Sequence, residues 1–293
     1  MKASRKGLLL VVISGIVFGI MPSTVAYCYT QGATPVLMML SRSVLFELVL
    51  LPIMLRTKNT WELYRKTWKQ YFLLSVTGTG TPLILFITYN YLPTGITTTI
   101  HYLYPAVVAL ICVLFLHEKL SKVKGIALVS CFLGIMIMMD TSVQDLSVLG
   151  IVLAVTSSIT WALYIVILDK VDLQGATSLQ VMFFTGISSI ILLTACALFS
   201  GDFAVTITPI GWAVMAISNL AISIGGSLFF VIGVRYTDAQ TSAIASTLEP
   251  IVSIVIGVLF LHEAITLRTG IGSVLILAAV ILLALYDQES TSK

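Results

Sequence analysis

Charge is what this chain has least of. Asp, Glu, Lys and Arg together make up 10% of its 293 residues, where an ordinary soluble domain carries roughly a quarter. With 58% hydrophobic residues spread from end to end, that scarcity excludes a water-soluble domain and predicts a polytopic membrane protein. A membrane-crossing helix needs about 20 apolar residues to span roughly 30 Å of hydrocarbon, so ten of them use about 200 residues and leave only short loops. Cysteine is scarce too. Cys28, Cys112, Cys131 and Cys196 lie far apart with no C-x-x-C spacing, so they read as small hydrophobes and not as a disulfide or metal framework. No G-x-x-x-x-G-K-[ST] occurs, which excludes ATP as the energy source. His117-Glu118 and His262-Glu263 lack the second His of H-E-x-x-H. They read as structural helix ends, with Ser121 and Thr266 as N-caps of the helices that follow. No metal, cofactor or nucleic-acid partner is expected; the bilayer, a small-molecule metabolite and protons remain.

What the chain does contain is one stretch twice. Pro105–Glu118 and Pro250–Glu263 align without a gap at a shift of 145 residues, with nine identities in fourteen positions that include the whole run Val-Leu-Phe-Leu-His-Glu. A period this long marks a duplicated half and not a solenoid. The division falls at 1–143 and 144–293. Gly7–Gly19 aligns likewise with Gly150–Ala162. The basic start and first apolar run resemble a secretory signal, but this correspondence makes the run an integral helix of the first repeat.

Apolar runs punctuated by Pro, Gly and charge predict ten helices, over about 7–28, 34–55, 71–91, 94–116, 122–140, 147–168, 177–199, 209–234, 238–261 and 267–286. With a cytoplasmic N-terminus, fourteen Lys and Arg fall on the cytoplasmic side, Arg268 alone falls outside, and Arg42 lies within a span. The positive-inside bias therefore places both termini in the cytoplasm and the protein in the cell's inner (plasma) membrane. The loop Arg56–Lys69, with Trp61, Tyr64 and Trp68 among its basic residues, reads as an amphipathic interfacial segment. Five helices per half is an odd number, so the two halves are inverted. Inverted repeats mark secondary transporters that bind solute at the repeat interface. The fold class is all-α: ten transmembrane helices in two inverted five-helix repeats around a central cavity.

Four features carry a family resemblance: Arg42 in Leu40-Ser41-Arg42, Trp161 in Thr160-Trp161-Ala162-Leu163-Tyr164, Leu248-Glu249-Pro250, and the Leu-x-Glu ends at Glu118 and Glu263. On them the whole chain resembles the EamA-type branch of the drug/metabolite transporter superfamily. The resemblance implies ten helices in two inverted repeats and export of small metabolites such as amino acids, nucleosides or drugs. In one place the chain departs from the pattern: Phe18-Gly19 stands where the family commonly has Trp-Gly.

Glu249 is the sharpest candidate residue. An ionised acid inside a span costs at least about 2.5 kcal/mol, so it needs a partner or a wet cavity. It reads as a proton carrier or ammonium receptor, or as a structural carboxylate beside Pro250. Arg42 can pair with Glu249 or Glu47, or hold a substrate carboxylate in its fork of donors; Glu47 itself reads as that partner or as an interfacial group. Thr94, Thr97, Thr98, His101 and Tyr104 form a polar face on the fourth helix, matched on the ninth by Ala239, Ser242, Ser246 and Glu249. The two faces are expected to meet across the cavity. Trp161 and Tyr164, one turn apart, wall the cavity or pack helices. Asn90 and Tyr89, with Asn219, Ser223, Gly226 and Ser227, are weaker picks. Gly15-x-x-x-Gly19 and the Gly and Ser of the eighth helix suit close helix contact.

These residues predict a secondary transporter that exports or exchanges small organic metabolites by alternating access. The paired Arg42 and Glu249 favour amino acids, and Glu249 is the proton-coupling candidate. The alternatives are an uncoupled facilitator, an exporter of cationic or multiple drugs, a lipid scramblase, and, most remotely, an intramembrane enzyme on lipid-linked substrates.

Overall fold

The computed structural model describes residues 5–57, 60–92, 94–138, 147–173, 175–200, 206–261 and 267–291. Among them there are helices and no strands. In chain order these are α1 (Arg5–Thr30), α2 (Pro35–Arg56), α3 (Thr60–Thr88), α4 (Thr94–His101), α5 (Tyr104–Leu114), α6 (Lys122–Met138), α7 (Val148–Lys170) and α8 (Ser178–Ser200). Then follow α9 (Pro209–Ala221), α10 (Phe229–Tyr236), α11 (Ala239–Ala245), α12 (Glu249–Leu261) and α13 (Leu267–Thr291). A π-helical turn, Ile222–Leu228, joins α9 to α10, and a 3₁₀ turn, Ser246–Leu248, joins α11 to α12.

The helix starts follow the capping rules. Thr34, Ser147 and Thr208 each accept a backbone N–H three residues on, at Leu37, Gly150 and Gly211, and Pro35 and Pro209 occupy first-turn positions whose N–H has no intrahelical partner anyway. The breaks follow proline. Pro105 cannot donate to the residue four back, and its ring crowds that carbonyl, so the expected helix 94–116 ends at His101 and restarts at Tyr104. Pro250 does the same to 238–261. Among the described residues, six helical stretches are long and apolar enough to cross a membrane: Arg5–Thr30, Pro35–Arg56, Trp61–Thr88, Val148–Lys170, Ser178–Phe199 and Pro209–Tyr236. Tyr104–Leu114 and Gly270–Leu282 are shorter apolar helices. The loop expected over 56–69 is helical from Thr60, and a kink at Thr67 (φ −123°, ψ 16°) sets that first stretch off from the rest of α3.

Large apolar side chains face outward all round, including Phe199 (94% exposed), Val148 (75%) and Phe115 (74%). A water-soluble monomer does not expose apolar surface on this scale; a lipid-facing one does. The interior is held by aromatic clusters and by hydroxyls that bond across helices. Tyr64 stacks on Phe184 at 4.6 Å, and Phe184 lies tilted against Tyr71 at 5.0 Å. Ser14 Oγ donates to the Gly226 carbonyl at 2.8 Å, tying α1 to the π turn. Asn219 donates to Ser41 Oγ at 2.9 Å, tying α9 to α2. One close seam is α1 on α12. A Cβ at Gly19 would stand 2.6 Å from the Val252 Cβ and 2.8 Å from the Glu249 carbonyl, so only glycine lets these two backbones approach this far.

Candidate transport cavity

The interior holds a cavity of about 150 Å³ among α1, α2, α3, α4, α7, α8, the π turn, α10 and Glu249 at the head of α12. A void of roughly this size holds one benzene ring. Of the sequence candidates, Arg42, Thr98, His101, Trp161, Tyr164 and Glu249 all line it.

Glu249 opens α12, where the 3₁₀ turn hands over to the helix. Its Oε2 accepts from the Tyr102 hydroxyl at 3.4 Å, too long to count as a strong hydrogen bond. Arg42 reaches across to donate from its guanidinium to Ser227 Oγ on the π turn. Its expected pairing with Glu47 or Glu249 does not occur: among the described residues Arg42 makes no ion pair. For Glu47 the reason is helical phase, because five residues turn the chain about 140° beyond a full turn and point the two side chains apart. Nor is Glu47 interfacial. It lies near the middle of α2, 8% exposed, on the cavity wall.

His101 ends α4 and meets Ser157 of α7, Nδ1 to Oγ, at 3.0 Å. The Ser157 hydroxyl donates its proton to the Ala154 carbonyl at 2.7 Å, so it can only accept from the ring. This places the imidazole proton on Nδ1 and leaves Nε2 as the acceptor of a ring that lines the cavity. Trp161 stacks on Tyr164 at 5.1 Å and on Phe230 at 5.3 Å, with Phe18 set edge-on at 6.4 Å. Phe18 therefore joins the aromatic wall although the residue there is not Trp.

Two candidates lie elsewhere. Asn90 is exposed in the turn after α3, its backbone N–H bonded to the Ile87 carbonyl, and the neighbouring Tyr89 lines the cavity in its place. Ser246 is buried and donates to the Ser242 carbonyl at 2.9 Å, so it faces its own helix. The two polar faces meet only in part, where Tyr104 lies against Ser246 and Glu249. Ser242 bonds Thr237 at 2.6 Å, Tyr104 is wholly buried beside His101, and only Thr98, His101 and Glu249 of that pattern reach the cavity. The proline breaks shift the helical phase that the alignment of faces assumed.

Sequence reasoning passed over the hydroxyls Ser75, Thr79 and Ser189, which line the wall between α3 and α8. The signal was present in Thr77-Gly-Thr-Gly-Thr-Pro82, a polar run inside an apolar span. His262 and Glu263 lie outside the described residues. Their counterpart Glu118 is structural: it pairs with Lys170 at 2.6 Å and accepts from Gln240 at 3.3 Å. Ser121 accepts the Lys124 backbone N–H as the expected cap.

The model of the EamA-like transporter family matches this chain twice, over residues 5–140 and 148–285. A Bacillus subtilis (strain 168) protein described as uncharacterized transporter YvbV is 30% identical over 238 residues, covering 78% of this chain and 73% of its own. A Clostridium kluyveri protein described as an uncharacterized transporter is 26% identical over 171 residues, about half of each chain (54% and 53%). A solved crystal structure of 15% identity superposes over 97% of this chain and 98% of its own with a TM-score of 0.80; at that identity the likeness speaks for the fold alone. The chain belongs to the EamA-like transporter family of the drug/metabolite transporter superfamily, and is a multi-pass membrane transporter and not an enzyme.

Proposed function

We propose that the protein is a secondary transporter that exports or exchanges small organic metabolites, amino acids foremost, by alternating access of two inverted five-helix repeats, 1–143 and 144–293. One observation carries the reading. Arg42 and Glu249, opposite in formal charge and drawn from different halves, line one cavity of about 150 Å³ without pairing with each other. A zwitterion fits between them, its carboxylate on the Arg42 fork and its ammonium on Glu249. Thr98 and His101 Nε2 add hydrogen-bonding capacity, and Trp161 and Tyr164 the apolar wall. Glu249 also carries the coupling proton, because solute and proton compete for the same carboxylate.

Ten membrane crossings follow if α4–α5, α9–α10 and α11–α12 each count as one broken helix. The packing supports the two-repeat scheme. α1 lies against α9, α10, α11 and α12 of the second half, while α7 lies against α3, α4 and α5 of the first. α2 pairs with its own counterpart α8, and α6 with α13. Exchanging the halves maps this set of neighbours onto itself. The termini belong to the cytoplasm, in the inner (plasma) membrane.

The test is uptake into proteoliposomes under an imposed pH gradient, after a thermal-shift screen of amino acids, nucleosides and quaternary amines. The reading expects stabilisation by amino acids, uphill uptake in the wild type, and loss of that uptake together with weakened solute binding in Glu249→Gln. Response to quaternary amines alone would favour a cation exporter working through Glu249 and the Trp161–Tyr164–Phe230 stack.

A further inference from the structure

The cavity contains a second acid that the reading above does not use. Glu47 sits on α2, 8% exposed, and among the described residues neither carboxyl oxygen has a hydrogen-bond partner. It is pressed against α8 where that helix has Gly186: a Cβ there would fall 1.8 Å from Oε1 and 2.8 Å from Cδ. Glycine at 186 makes the niche in which this carboxyl fits.

We propose that Glu47 is a second proton-binding carboxyl, loaded while α2 and α8 are closed on each other and released when they part. A bare carboxylate cut off from water and from every donor is strongly disfavoured, so the group needs a proton or a cation. A metal cation needs a shell of several ligands, and among the described residues no group of three or more His, Cys, Asp or Glu gathers to hold one. A proton needs no shell. No charged neighbour substitutes for it. Of the helices packed on α2, α8 and α9 bring no ionisable side chain to the cavity, and the end of α3 brings Tyr89. The remaining wall carries Arg42, His101, Tyr102, Tyr164 and Glu249, none bonded to Glu47.

The same geometry supplies the coupling, and here the inference rests on the alternating-access reading. α2 belongs to the first half and α8 to the second, so the motion that separates the halves is the one that admits water to Glu47. The balance is simple: the carboxyl O–H breaks, its proton passes to water, and the carboxylate stays on α2.

The experiment is infrared spectroscopy of the reconstituted full-length protein at neutral pH in H₂O and D₂O, which reads the stretch of protonated carboxyls and is silent for ionised ones. Glu47→Gln is expected to lose one such band that Glu249→Gln keeps. Gly186→Ala retains the acid but fills its niche, and is expected to shift or abolish the same band. If Glu47→Gln fails to fold, Gly186→Ala decides alone. Spectra of these variants identical to the wild type overturn the proposal. Vesicle uptake is a separate readout: its absence with the band intact sinks the transport reading, and its presence with no Glu47 band sinks only this inference.

Discussion

Lys124 Nζ donates to Asp238 Oδ1 across 2.7 Å, fastening α6 of the first half to the start of α11 in the second. Asp238 is also the cap of α11, accepting from the Thr241 backbone N–H at 2.9 Å and from its hydroxyl at 2.7 Å. Burial works against its carboxylate, but Lys124 and the two Thr241 donors outweigh that and hold the pKa below the usual Asp value. The sign follows. A depressed folded-state pKa means stabilisation present above the ordinary Asp range and lost as pH falls through the lower folded value. Asp238→Ala should cost about 1–2 kcal/mol through the cap alone, more than Lys124→Ala. Thermal unfolding in detergent should show a decline in acid that Asp238→Asn flattens; an unchanged acid limb would refute the assignment.

Two glycines should behave oppositely. Gly19 stands flush on α12 beside Glu249 and Val252, and an added methyl group there must push α1 away. Overpacking of this kind costs about 1–3 kcal/mol, and the displaced backbone is that of Glu249, so solute binding should fall as well. A Cβ at Gly80 of α3 would meet nothing within 4 Å. Gly80→Ala should be neutral or stabilise by roughly 0.5–1 kcal/mol through helix propensity. Melting temperatures of the two purified variants decide it, and equal losses would show that the α1–α12 seam is softer than its geometry.

How much of this was legible beforehand depends on what kind of information each feature needs. Arg42, His101, Trp161, Tyr164 and Glu249 reach the cavity because an ionisable or aromatic side chain inside an apolar span has few other places to go. Asn90 failed because its place depends on the residue at which α3 ends, and that boundary moved past it. Ser246 failed because a hydroxyl can bond its own helix four residues back, an option that sequence spacing does not reveal. Pro105 and Pro250 are plain in the sequence, but the change of helical phase at each break is not. Glu47 was misread because its niche is an absence, the missing side chain of Gly186, 139 residues away in the chain.

Intrinsic fluorescence should report solute binding through one residue. Of the four tryptophans, Trp61 and Trp68 are 50% exposed and Trp212 46%, all on the outer surface, while Trp161 lines the cavity. A solute that enters the cavity should change the emission of the wild type. Trp161→Phe keeps the stack on Tyr164 and Phe230 and should fold, yet lose that response. A response that persists in Trp161→Phe would place the solute elsewhere.

Substitutions at His101 separate its structural nitrogen from its acceptor nitrogen. Ser157 Oγ spends its own proton on Ala154 and needs a donor from His101 Nδ1. The amide nitrogen of Asn occupies nearly the place of Nδ1, and that of Gln the place of Nε2. His101→Asn should therefore keep the bond and the stability while removing the ring's acceptor. His101→Gln should forfeit the bond and leave a buried hydroxyl short of a donor, at about 1–3 kcal/mol. The expected pattern is a stable Asn variant with weakened solute binding and a less stable Gln variant. Melting temperature and solute-induced thermal shift, measured together, test it; a Gln variant as stable as wild type would mean that the imidazole proton sits on Nε2 and that the polarity of the His101–Ser157 bond is reversed.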